Sequence, residues 1–117
     1  MDNATDCIFC KIVGGEFGTP FVAETARAVA FRDVDPKAPT HVLVVPRNHV
    51  AGLHHLSPSD GSLVAELMSL AVEVARREGI VDSGYRVLTN DGPDAGQTVS
   101  HLHLHVLGGH PLTAGLG

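Results

Sequence analysis

The 117-residue sequence predicts an α+β fold, a single domain over residues 1–117 with its core at about 6–110. Three observations predict it. Strand-like runs crowd the chain before residue 48, one long amphipathic segment follows, and two more strand-like runs come after it. Strands grouped around one helix, rather than alternating with several, place that helix on one face of a sheet.

Taken in order, "CIFCKIV" (7–13) reads as one or two helical turns stopped by Gly14-Gly15. Phe21–Ala26 and Ala28–Val34 are strands joined by a tight turn, and His41–Arg47 is a third, rich in valine and stopped by Pro46. Ser57-Pro58-Ser59-Asp60 signals a helix start, with proline near the first turn and an acid beside it. That helix runs to about Arg77, with Leu63, Leu67, Leu70 and Val74 on one face and Gly79 past its end. Tyr85–Asn90 is a fourth strand. A glycine-rich loop, "DGPDAGQT", then leads into a fifth.

Composition narrows the function. The chain carries 13 acidic residues against 8 Lys plus Arg, a net charge of −5, and no basic stripe, which argues against polymeric nucleic acid as a partner. No apolar run is long enough to span a membrane. The start, "MDNATDC", lacks the basic and apolar regions of a signal peptide, so the expected location is the cytoplasm, a reducing setting for Cys7 and Cys10.

The fifth strand carries the chemistry. In "TVSHLHLHVLGG" (98–109), His101, His103 and His105 alternate with leucines, which places Leu102, Leu104 and Val106 toward a core and the three imidazoles on the other face. Alternate residues of a strand lie roughly 6.5–7 Å apart, close enough for two or three rings to act on one group. Three readings follow: a polar strip, a metal site using His-x-His, or a nucleophilic imidazole with one nitrogen fixed and the other free. The preceding loop favours phosphate chemistry, because its glycines and its Gly96-Gln97-Thr98 end offer backbone N–H groups and a hydroxyl to phosphate oxygens. Cys7-x-x-Cys10 is likewise open among buried thiols, a redox pair and half of a zinc site. It lacks the βαβ context of a redox pair, and two cysteines alone do not complete a tetrahedral site.

"HLHLHVLGG" is similar to the His-φ-His-φ-His-φ-φ pattern of the histidine triad superfamily. With "CIFCKI", "FRDVDPKAPTHVLVVPRNH" and "NDGPDAGQTVSHLHLHVLGG" in that order, the chain resembles the branch of small nucleotide-binding phosphoramidases. The resemblance implies a five-stranded antiparallel sheet, continued across a homodimer in which Tyr85–Thr89 meets its own copy and Leu67 or Leu70 helps bury the contact. It implies hydrolysis of purine nucleoside phosphoramidates of the adenosine 5'-monophosphoramidate type, with His103 as nucleophile and His105 on the α-phosphate. Asn90, Gly96, Gln97 and Thr98 are then phosphate-side contacts, Asp33 binds the ribose, and Ile8, Phe9, Phe31 and Val34 form the purine slot. Bacterial members that carry the cysteine pair imply structural zinc on Cys7, Cys10, His49 and His101. A dinucleoside polyphosphate hydrolase and a non-catalytic nucleotide- or metal-binding module are the alternatives. The remaining histidines, His41, His54, His55 and His110, read as local hydrogen-bonding or surface residues, and the tail "HPLTAGLG" has no tryptophan to shape the leaving-group side.

Overall fold

The computed structural model describes residues 6–113. Its elements run α1 (Ile8–Val13), β1 (Ala23–Glu24), β2 (Ala28–Arg32), β3 (Thr40–Pro46), α2 (Gly61–Arg77), β4 (Tyr85–Leu88) and β5 (Leu104–Gly108). The five strands form one sheet in the order β1-β2-β3-β5-β4, and every neighbouring pair is antiparallel. This is the expected α+β architecture, with β4 at an edge. No helix of the described residues is long and apolar enough to cross a membrane.

Strand parity divides the interior in two. Val42 and Val44 of β3 point to the face covered by α2, where Ala28, Ala30, Leu67, Leu70, Val74, Leu104 and Val106 complete the main core. Leu43 and Val45 point the other way, into a smaller layer with Val29, Phe31, Phe9 and Cys7 under α1. His105 is paired with Leu43, so its side chain belongs to this second face.

Several boundaries differ from expectation. The first strand shrinks to two residues, although the pairing is prolonged irregularly where the Val22 N–H donates to the Ala30 carbonyl. The second ends at Arg32, which leaves Asp33 and Val34 on a loop. Pro58–Asp60 forms a 3-10 turn before α2, with the Asp60 carboxylate accepting the Ser57 N–H at 2.9 Å. The largest difference is in the last strand, which starts at Leu104 and not at His101. The Leu102 N–H donates to the Val50 carbonyl at 2.6 Å, so residues 101–103 follow the 49–51 segment instead of the sheet ladder. Leu67 and Leu70 lie deep in the single chain. Both are only 2% exposed and already belong to the core of the single chain, whereas Val64 and Met68 on α2 stand 38% and 44% exposed.

Candidate functional site

On the α1 face of the sheet, His103 and His105 lie with ring centroids 4.9 Å apart. His103 is nearly buried, and Phe9 presses edge-on against it, 5.1 Å between centroids, with Phe31 behind Phe9 at 5.5 Å. His105 touches a fourth histidine, His41 at the start of β3, whose Nε2 stands 2.9 Å from His105 Nδ1.

Hydrogen bonding to backbone groups assigns the tautomers, because an amide N–H must donate and a carbonyl must accept. The Lys37 N–H donates to His41 Nδ1 at 3.0 Å, so His41 carries its proton on Nε2 and donates it to His105 Nδ1. His105 then carries its own proton on Nε2, a buried donor with no partner among the described residues. His103 Nδ1 donates to the His101 carbonyl at 2.7 Å, which leaves His103 Nε2 an unprotonated lone pair. A free base thus stands beside a free donor.

Electrostatics preserve this state. Burial, together with the neighbouring His103 and His41, pushes His105 down to about 4. Burial also lowers His103, opposed by its bond to the His101 carbonyl, and lowers His41 against the pull of Asp33. All three rings are therefore neutral at pH 7. His41 was read from the sequence as a local hydrogen-bonding residue, which it is through Lys37, but its contact with His105 was missed. The available signal was parity, since His41 lies two residues before Leu43 and so shares a face with His105 once the β3–β5 register is known.

The other expected contacts divide into accessible and committed groups. Asp33 is mostly covered. Its Oδ1 accepts the Asp35 N–H and its Oδ2 lies 3.4 Å from His41 Nε2. Phe9 and Phe31 are core residues, whereas Ile8 is half exposed and Val34 fully exposed, so any base site has a buried floor and an open rim. The loop before the histidines turns on Gly92 and Gly96, with φ of 94° and 87°, a region that a side chain makes costly. Gly96 and Thr98 are exposed and Asn90 partly so. Gln97 differs: its Oε1 accepts the Gly92 N–H, and its Nε2 donates to the Ala51 and Val99 carbonyls. Its amide braces the loop and has no N–H left to offer a phosphate. His54 anchors the same loop through Asp91, with Nδ1 2.8 Å from Oδ1, which sequence reading also missed. His55 stacks on His54 and His110 is exposed, as expected of surface residues.

His101 has different partners. It is fully buried, its Nδ1 lies 3.2 Å from Cys7 Sγ and 3.5 Å from Cys10 Sγ, and His49 Nδ1 lies 3.4 Å from Cys10 Sγ. The four donor atoms of Cys7, Cys10, His49 and His101 lie within 4.8 Å of one another. His101 Nε2 donates to the Pro46 carbonyl, the outer contact that metal-binding histidines make, and this leaves Nδ1 free for a cation. Two thiols and two imidazoles at this spacing suit tetrahedral zinc. Burial and the adjacent Cys7 push the Cys10 thiol up to about 11, and a divalent cation would reverse that by binding the thiolate. Asp33, His41 and His105 are equally close together, but the Lys37 N–H keeps the proton on His41 Nε2, where a metal would need a lone pair.

Known proteins resemble this chain in sequence and in fold. The HIT domain profile matches residues 15–112. A HIT-like protein of Synechocystis is 44% identical over 110 residues, which cover 94% of this chain and 96% of its own. The purine nucleoside phosphoramidase of Escherichia coli K12 is 36% identical over 109 residues, 93% of this chain and 92% of its own. Among solved structures, a HIT family hydrolase from Legionella pneumophila superposes with a TM-score of 0.92 at 40% identity, covering 96% of this chain and all of that one. Sequence and fold agree, and the chain belongs to the HIT domain family.

Proposed function

We propose that the chain is a nucleotide-binding hydrolase that cleaves the P–N bond of purine nucleoside phosphoramidates, of the adenosine 5'-monophosphoramidate type, through a nucleotidyl-histidine on His103. One observation carries the reading: His103 has its Nδ1 tied to a carbonyl and its Nε2 free, beside the unmatched Nε2–H of His105. The Nε2 lone pair attacks phosphorus, and an N–P bond forms as the bond to the leaving amine breaks and the amine takes up a proton from solvent, which the attacking water of the second step returns. Water then attacks the same phosphorus, the histidine N–P bond breaks, and the mononucleotide leaves. Two easier displacements replace one hard one. The His105 Nε2–H and the exposed loop amides stabilise charge on the phosphoryl oxygens. Asp33 is suited to ribose hydroxyls, and Phe9 and Phe31 floor a base site rimmed by Ile8 and Val34. The phosphoramidase name of the Escherichia coli relative supports the bond type.

Trapping tests this. Incubation with an adenosine phosphoramidate, a quench in mild base and mass spectrometry should find one added nucleotide, on His103. A module that only binds nucleotides, or a hydrolase that activates water directly, would leave the peptide unmodified. Running a dinucleoside polyphosphate in parallel separates the two hydrolase readings by relative kcat/KM.

The reading includes structural zinc on Cys7, Cys10, His49 and His101, in a cytoplasmic setting that keeps both thiols reduced, and a homodimer built on β4 and α2. The donor geometry and the His101 tautomer support the metal. Purified protein should hold close to one zinc per chain. Cys7→Ser should lower both zinc content and Tm, each kcal/mol lost being about 3–6 °C in a chain of this size. Metal-free protein from a chelator-free preparation would refute the site.

A further inference from the structure

We propose that the Cys7, Cys10, His49 and His101 cluster acts as a clasp that seats α1 on the histidine segment, and that the clasp positions His103 as a nucleophile. This rests on the reading of His103 given above.

The first ground is the weakness of α1 by itself. It has six residues, and isolated helices under about 12 residues are marginal in water. Its N-terminal cap is a thiol, Cys7 Sγ, which accepts the Cys10 N–H at 3.4 Å, and sulfur is a weak acceptor. Tertiary contacts must hold the helix. Its two cysteines meet His49 and His101, and its buried aromatic, Phe9, sits between them in sequence.

The second ground is that two separate routes lead from the cluster to His103. One runs through a single residue. The His101 ring lies in the cluster, and the His101 carbonyl fixes His103 Nδ1 at 2.7 Å. The other runs through the helix: Phe9 packs edge-on against His103 at 5.1 Å and 87°, and against His101 at 5.9 Å. Releasing the thiols would free α1, withdraw Phe9 and loosen residue 101 together. His103 could then rotate away from its carbonyl, and Nε2 would no longer be presented toward the loop.

The test uses the full chain with Cys7→Ala and Cys10→Ala together. Three readouts are taken: the His103 imidazole Nδ1–H signal by 1H–15N NMR, AMP affinity by calorimetry, and the amide signals of α2. Loss of the His103 signal with AMP bound at least fivefold more weakly, while the α2 signals stay in place, supports the clasp. Unchanged His103 signal and AMP affinity overturn it. Should the double variant fail to fold, Phe9→Leu decides alone. It should keep the parent's zinc content yet lose the His103 signal, and a retained signal overturns the proposal. Failure of the nucleophile reading looks different, since the parent would then trap no nucleotide while its NMR signals still responded to the substitutions.

Discussion

His103→Ala is expected to lower turnover of an adenosine phosphoramidate on the order of 10⁴-fold or more, while AMP binding stays within about tenfold. The two quantities separate because different atoms carry them. The proposed chemistry requires the His103 Nε2 lone pair, and no other described histidine presents one to the same place. His105 has given its Nδ1 to His41 and offers only a proton, and His101 turns its Nδ1 toward Cys7 and Cys10. Binding depends on the loop amides, Asp33 and the base slot, none of which loses an atom. The substitution leaves a void beside Phe9, so Tm falls as well, and far-UV circular dichroism with AMP titration shows whether the fold survives. Turnover retained by the alanine variant would remove the covalent mechanism, however well the variant bound nucleotide.

The fold class and the succession of elements along the chain were legible because each strand carries its own pattern. The alternating leucines of the triad turn Leu102, Leu104 and Val106 toward a core, and all three lie in the one that α2 covers. Alternation does not report backbone pairing, however. His101 and Leu102 keep the strand rhythm while their backbone leaves the ladder for Val50, and His101 meets the two cysteines on the same α1 face where Phe9 touches both it and His103. Contacts that depend on register were also hidden. His41 meets His105 only because β3 and β5 pair with Leu43 opposite His105, and no local signal encodes that offset. Gln97 illustrates a third limit. Its place in a phosphate-type loop was readable, but whether an amide faces a ligand or its own loop depends on Gly92, Ala51 and Val99 converging on it.

Met68→Glu is expected to convert a dimer into a monomer and to reduce activity with it. The edge strand β4 leaves one side of its backbone unpaired, and no proline or lysine interrupts it. Beside it, an apolar groove of about 220 Å³ runs between β4 and α2, bordered by Leu53, Val64, Met68, Val87 and Leu88. A second copy related by a two-fold axis would pair β4 with β4 and bring the two grooves together, a self-complementary contact. Met68 is 44% exposed in the single chain, so a carboxylate there costs the monomer little. In a closed interface it would sit beside its own symmetry mate, unpaired and desolvated, at a cost of several kcal/mol. Activity should follow, because Asn90 lies two residues beyond β4 and Thr89 holds the His103 carbonyl at 2.7 Å, so a loosened edge reaches the phosphate loop and the nucleophile. Light scattering at micromolar concentration should give twice the chain mass for the parent and one chain mass for the variant. A parent that runs as a monomer with full activity refutes both the interface and its link to the site.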